Sequence, residues 1–250
     1  MMSGDPAVGI PSPEWRVLSY NVRSLRDDRS AVVEVIRTVR PDIAFVQEAP
    51  RFFRWRTRCA QLAADAGMYV VTGGRSAGDV LLLAALRVTI RWARDVRLSH
   101  QPGLHRRGVA LAGVELAGRR AVVASIHLGL EPAQRLRHVA ELLAVPEIAE
   151  GVDPVIIAGD VNEEPSGPAW RRLAERYRDA YGVAPAGRGE TYSARQPRTR
   201  IDGIFVDPRF QVIRCEVPDL PAVRRASDHL PVLAVLRLAA DADARAPQAS

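Results

Sequence analysis

The sequence predicts an α/β protein built as a four-layer α/β/β/α sandwich, two mixed β-sheets packed face to face with helices outside. Three observations carry this. Short apolar runs of four to six residues, bounded by Gly, Pro or polar groups, recur along the chain and read as buried strands. Helical patterns separate some runs and only short turns separate others, which requires mixed strand order. Many runs are apolar at every position, as strands covered on both faces are.

Val17-Leu18-Ser19-Tyr20 forms the first strand and ends at Asn21. A helix over residues 29–39 leads to Ile43-Ala44-Phe45-Val46, which ends at Gln47-Glu48. A second helix is expected over 52–66, with Phe52, Trp55 and Cys59 on a packing face and Arg51, Arg54 and Arg58 on an adjoining solvent stripe. Residues 80–86, 88–98, 109–116 and 121–128 follow as strands, the last carrying His127. Pro132 suits the first turn of a helix to residue 144, striped by Leu136, Val139, Ala140 and Leu143, and Pro146 should stop it. Val155-Ile156-Ile157-Ala158 ends at Gly159-Asp160-Val161-Asn162, and a helix over 168–178 comes next. Two final strands put the polar group first: Ile201-Asp202 before Gly203-Ile204-Phe205-Val206, and Ser227-Asp228-His229 before Leu230-Pro231-Val232-Leu233.

A chain of 250 residues with 47% hydrophobic and 26% charged content suits one large domain, read as residues 14–238. A flexible start (1–13) and a low-complexity, disordered tail (239–250) flank it. No apolar run approaches the roughly 18 residues of a membrane span, so no stable membrane association is expected. The start lacks the basic-then-apolar order of a secretory leader, and a cytoplasmic location is expected. Cys59 and Cys215 lack metal-site spacing and should be buried reduced thiols. All 35 basic side chains counted in the net charge of +6 are arginine. Coding bias explains an arginine-only set; guanidinium groups also bind phosphate through paired planar hydrogen bonds. Either way, a basic surface favours anionic substrates, nucleic acid included, and points to no protein partner.

If the two inverted strands run antiparallel to the others, all six polar strand ends gather on one edge of the sheets. Glu48, Asp160, Asp202 and Asp228 would then share one small space and repel unless a cation neutralises them. Gly159 lets the backbone turn where its strand ends, and Asp160 and Asn162, two apart, can face the same way. Taken alone, an Asp-Asn turn or an Asp-His pair before a strand is ordinary structure; their joint occurrence points to metal-dependent hydrolysis.

Ser-Tyr-Asn-Val at 19–22, Val-Gln-Glu at 46–48, Ile-His-Leu at 126–128, Gly-Asp-Val-Asn at 159–162, Arg-Ile-Asp at 200–202 and Ser-Asp-His-Leu-Pro-Val at 227–232 resemble, in order, the motifs of the endonuclease/exonuclease/phosphatase superfamily. The resemblance covers roughly Trp15 to Leu238 and implies a DNase I-like fold and metal-dependent phosphoester hydrolysis. It implies that Glu48 is the principal Mg²⁺ or Mn²⁺ ligand, helped by Asn21 and by Asp228, partly through water; hard oxygen donors suit such ions. It places His229 against the scissile phosphate, oriented by Asp202, either taking a proton from water or staying cationic. Asp160 is the alternative base, with Asn162 donating to a phosphoryl oxygen and His127 contacting the phosphate or the leaving-group side. Arg106 and Arg107 precede a strand where relatives often present a phosphate-binding arginine. His100, His105 and His138 match no motif and are read as structural. Two departures stand out: Gly203 where relatives commonly carry an aromatic, and Gly78-Asp79 where they often have Gly-Asn. The expected activity is a phosphodiesterase or nuclease. A phosphomonoesterase or phospholipid-headgroup enzyme is the alternative, and a silent anion-binding module the last.

Overall fold

The computed structural model describes residues 13–239. The expected flexible start and disordered tail therefore fall, apart from Pro13 and Ala239, outside the described residues. The first half alternates strand and helix. β1 (Glu14–Asn21) leads to α1 (Arg29–Val39) and β2 (Ile43–Gln47), then to α2 (Trp55–Asp65), β3 (Met68–Gly73) and β4 (Leu81–Ala85). A run of strands follows: β5 (Val88–Arg97), β6 (Gly108–Leu116) and β7 (Arg119–His127). α3 (Pro132–Leu143) and α4 (Pro146–Ala149) precede β8 (Val155–Asp160). The chain closes through α5 (Pro168–Ala174), β9 (Arg178–Asp179), α6 (Ala180–Val183), β10 (Pro185–Ala186), β11 (Asp202–Val206), β12 (Phe210–Glu216), α7 (Val223–Ala226) and β13 (Val232–Leu238).

One sheet has the order β10-β12-β13-β1-β2-β4-β3, the other β5-β6-β7-β8-β11-β9. Each holds a parallel pair, β1 with β2 and β7 with β8, beside antiparallel neighbours, so both are mixed. Their inner faces share one core that includes Trp15, Phe45, Leu82, Ala112, Val123, Ile156, Ile204 and Phe210. A second cluster packs α1, α2 and α7 on the first sheet, and a third packs α3, α4 and α5 on the other. This is the four-layer sandwich the apolar runs require. None of the described helices is long and apolar enough to cross a membrane. Cys59 and Cys215 are buried and unpaired.

The helices show why their sequences fold locally. Asp28 caps α1, its carboxylate accepting from Ala31 N–H at 3.0 Å, and the buried stripe is Ala31, Val32, Val35, Ile36 and Val39. α1 ends at Arg40, left-handed at φ +46° and followed by Pro41.

Three local readings need correction, at α2, β3 and α5. α2 starts at Trp55, after a left-handed Arg54, so Arg51, Phe52 and Phe53 lie in the loop after Glu48 and form no helical stripes. Phe52 and Phe53 are 63% and 85% exposed, and Arg51 lies over the Phe52 ring at 5.4 Å; the packing face is Trp55, half-buried, with Cys59, Leu62 and Ala63. β3 was not expected: it is an edge strand and mostly half-buried. α3 ends at Leu143 before Pro146, as expected, and Pro146 itself opens the short α4. α5 stops at Ala174 because Arg178 already begins β9.

The sheets put the polar strand ends on one edge. In register, Asn21 lies opposite Gln47, His127 opposite Asp160, and Asp202, on an antiparallel strand, opposite Asp160.

Candidate active site

Asp160 occupies the centre of this edge. A Cβ at Gly159 would stand 1.9 Å from the Ile126 carbonyl oxygen, so only glycine lets β7 and β8 approach here. Beyond it the chain turns sharply. Asp160 Oδ1 accepts from Asn162 N–H at 2.8 Å, and Asn162 takes the left-handed conformation, φ +54°. Asp160 Oδ2 accepts from Asn21 Nδ2 at 3.0 Å and lies 3.6 Å from His127 Nε2 and 3.7 Å from His229 Nε2. Burial, then the nearby Asp202 charge, raises the Asp160 carboxyl above its ordinary value, against the pull of both imidazoles.

His229 is fixed from two sides. Its Nδ1 meets Asp202 Oδ2 at 2.9 Å, and its backbone N–H donates to Ser227 Oγ at 3.4 Å. Ser227 Oγ in turn donates to the Asn21 carbonyl at 2.7 Å, tying the loop before β13 to the end of β1. Burial alone would lower the His229 imidazole. Asp202, by charge and hydrogen bond, reverses this, and with Asp160 and Asp228 pushes it up to about 10. At neutral pH the ring is a cation whose Nδ1–H is held by Asp202. Asp202 Oδ1 is buried without a partner.

Beyond this centre, the expected residues occupy three different settings. Glu48 sits half-buried in a left-handed conformation, φ +50°, with Asn21 Nδ2 donating to its Oε1 at 3.4 Å. Asn21 thus bridges Glu48 and Asp160 as a donor, while its Oδ1 accepts from Arg23 N–H at 3.1 Å. Asp228 pairs with Arg23 Nε at 3.3 Å. Asn162 Nδ2 donates to the Leu128 carbonyl at 2.9 Å, which uses one of its two amide protons. Arg106 and Arg107 separate. Arg107 is buried beside His127, whereas Arg106 is exposed and lines a neighbouring cavity without Glu48 or His127.

Four contributors were not assigned a role from sequence. Asp79 is buried at the site: its Oδ2 accepts from Arg107 Nη1 at 3.0 Å and Arg51 Nη1 at 3.3 Å, and its Oδ1 lies 3.0 Å from His127 Nδ1. Arg107 Nη1 also stands 2.8 Å from His127 Nδ1, so a protonated Nδ1 donates to Asp79 and a bare one accepts from Arg107. Its departure from Gly-Asn was the available signal. Arg51 joins that network, and His105, read as structural, lines the cavity of about 270 Å³ bordered by Glu48, Asp79, Arg107 and His127. Tyr192 stands against His229, rings 4.9 Å apart, and stays 42% exposed, offering an aromatic face. At Gly203 a Cβ would meet Trp170 at 2.7 Å, so a core tryptophan fills the space above that strand.

The donor set fits a hard divalent cation. Asp160, Asp202 and His229 bring ligand atoms within 4.8 Å of one another, the orphaned Asp202 Oδ1 lacks a positive partner, and the cluster offers oxygen and imidazole with no thiolate. His229, held as a cation by Asp202, is a poor ligand; the oxygen donors left are Asp160 and, joined to it through the Asn21 amide, Glu48. Ligation through Asn21 Oδ1 would require its amide to turn over and give up the Arg23 bond.

The model of the Endonuclease/Exonuclease/phosphatase family matches residues 18–229. The uncharacterized protein YbhP of Escherichia coli K12 is 31% identical over 159 residues, covering 58% of this chain and 57% of its own length; a Shigella flexneri protein of the same name aligns to the same extent. The chain thus matches little more than half the length of these curated relatives. Among solved structures, an endonuclease/exonuclease/phosphatase from Bacteroides vulgatus superposes with a TM-score of 0.75 at 21% identity, covering 90% of this chain and 99% of that one. A Bacteroides thetaiotaomicron mannosyl-6-phosphatase gives 0.75 at 19% identity, covering 89% and 99%. The human Nocturnin catalytic domain with bound sulfate gives 0.69 at 18% identity, covering 91% and 95%. At these identities the likeness concerns the fold.

Proposed function

The chain belongs to the Endonuclease/Exonuclease/phosphatase family, whose members hydrolyse phosphoester bonds, and from that premise we propose a divalent-metal-dependent phosphodiesterase, with nucleic acid among its substrates, that cleaves P–O bonds by in-line attack of water. The observation that carries this reading is Asp160 Oδ2 standing between His127 Nε2 and His229 Nε2, with Asp202 charging His229 from behind. A phosphoryl group entered against this edge meets a proton acceptor and a fixed cation together.

Each residue then has a task. Asp160, its proton affinity raised by burial and Asp202, takes the proton of the attacking water; Asn21 holds its carboxylate in place. His229, kept charged by Asp202, donates from Nε2 to a phosphoryl oxygen and stabilises the charge that builds there. His127, braced at Nδ1 by Asp79 and Arg107, presents Nε2 to the phosphate or the leaving oxygen. Asn162 offers its remaining amide proton to the same group. Glu48 would hold Mg²⁺ or Mn²⁺, helped by Asn21 and Asp228 partly through water, and the bound ion would polarise the phosphoryl oxygen and neutralise the departing oxyanion. Tyr192 gives the ester group beyond the phosphate an aromatic wall.

A phosphomonoesterase, or a phospholipid-headgroup enzyme, would use the same residues. The small cavity of about 270 Å³ beside Glu48 favours that second reading, as does the fold shared with a protein named a mannosyl-6-phosphatase. Hydrolysis of bis-(p-nitrophenyl) phosphate and p-nitrophenyl phosphate, side by side with Mg²⁺, Mn²⁺ or chelator, separates the two. Faster diester cleavage supports the phosphodiesterase; a clear monoester preference replaces it with the second reading.

A further inference from the structure

Beside the site, and sharing only Arg107 with its cavity, lies a pocket of about 220 Å³ walled by Arg75, Arg97, His100, Arg106 and Arg107. Four guanidinium groups converge on it, and no carboxylate lines it among the described residues. Arg75, Arg97 and Arg106 are exposed and make no ion pair with a described carboxylate, unlike Arg51 and Arg107 next door, which share Asp79. Arg107 has Nη1 committed to the catalytic side, while its Nε is buried with no partner. Three neighbouring arginines without a carboxylate partner repel one another, and a bound anion relieves it.

The frame around these arginines is rigid. Arg97 ends β5 opposite Gly108 of β6, and Leu98 N–H donates to the Arg107 carbonyl at 3.2 Å. Arg75 lies on the 3-10 turn Gly74–Ala77, which is wedged against the start of β6. Gly78, at φ +84°, sits so close that a Cβ would meet Gly108 N at 2.8 Å. Only glycine allows that approach, and it sets Arg75 across from Arg97 and Arg106. A space of about 220 Å³ is below the roughly 300 Å³ at which whole-ligand pockets begin, so it suits a group and not an entire molecule. Planar guanidiniums match phosphate oxygens in pairs.

We infer that this pocket is a second phosphate subsite, holding a phosphate of the substrate other than the one being cleaved. The assignment rests on the phosphoesterase reading and deepens it: the substrate carries at least two phosphates, and Arg106 serves the distant one. That phosphate is either a second group on a small molecule or the neighbouring phosphate of a nucleic-acid strand.

Calorimetric titration of the full chain in excess chelator, at one ionic strength, tests this. The probes are adenosine 5′-monophosphate, adenosine 3′,5′-bisphosphate and a thymidine hexanucleotide. Two charge-assisted contacts make the preferred probe about tenfold tighter than the monophosphate. Arg75→Gln with Arg97→Gln, at exposed positions that leave the fold unstrained, should reduce that preference to about twofold or less. Tight bisphosphate supports the subsite with a small-molecule source; a tight oligonucleotide alone supports it with the strand as source. Equal affinities in the wild type, or a preference that survives in the double variant, overturn it. If the preference holds while no phosphoester is hydrolysed with metal present, the phosphoesterase reading fails and the anion subsite stands.

Discussion

Replacing Asp79 by asparagine preserves shape and removes one charge from a buried ionic network. Asp79 and Arg107 side chains are 5% and 4% exposed, so water cannot take over the role of the lost partner. Breaking a buried pair from one side typically costs 3–5 kcal/mol because the other charge stays buried. Here the residual amide oxygen and the half-buried Arg51 place the loss near the lower end, about 3 kcal/mol. For a chain of this length that corresponds to a Tm lowered by about 6–12 °C. The pH dependence has a definite sign. Burial raises the Asp79 carboxyl, but His127, Arg107 and Arg51 outweigh it and hold it below its ordinary value. A depressed folded value means stability that is present above about pH 4 and lost as pH falls further, so wild type and variant should converge in acid. Urea unfolding of both proteins between pH 7 and pH 3 reads this directly. Adding Arg107→Met should recover much of the loss, since the arginine left without Asp79 is then Arg51, which reaches solvent. A cost under 1 kcal/mol at pH 7, or no recovery in the double variant, refutes the reasoning.

Other outcomes follow from the same physics. Glu163 Oε1 accepts from Ala169 and Trp170 N–H at the start of α5, and its Oε2 from the buried Arg135 at 3.0 Å; Glu163→Ala should cost about 3 kcal/mol or more in chemical denaturation. Gly159→Ala places a methyl 1.9 Å from a carbonyl oxygen in the centre of a sheet, so it should express poorly or melt far below wild type, checked by calorimetry. Burial pulls the His138 imidazole below its ordinary value, and its Nε2–H donates to the Ser99 carbonyl at 3.0 Å. The unfolded chain therefore takes up a proton first, and stability should fall as pH drops below about 6.5, an effect absent in His138→Gln. Asp202→Asn should lower turnover with little change in Mn²⁺ affinity; unchanged turnover would mean His229 needs no carboxylate behind it.

The sheets and the polar edge were legible because they depend on local pattern. Val155-Ile156-Ile157-Ala158 can only be a covered strand, and a polar residue at its end must sit on the rim. Expecting the strands at Asp202 and His229 to run antiparallel was enough to bring them to Asp160. What could not be read depends on long-range geometry. Asp79 becomes a site residue only because the turn before β4 lies against the start of β6, and nothing in Gly78-Asp79 itself announces Arg107 as its partner. Phe52 looks like a packing residue until a left-handed Arg54 shows that the helix begins after it. Arg106 and Arg107 are neighbours in sequence, yet only Arg107 is buried beside His127 and lines the cavity at Glu48; the pocket next to it is the one they share.

The central claim is a phosphodiesterase whose turnover depends on a divalent ion held at Glu48. A Mn²⁺ titration, followed by electron paramagnetic resonance for binding and by bis-(p-nitrophenyl) phosphate hydrolysis for turnover, tests it in wild type and in Glu48→Ala. The account predicts that rate rises with the bound fraction in wild type and that both signals collapse in a variant that remains folded. Full diester hydrolysis in excess chelator, or wild-type rates from Glu48→Ala, would contradict it.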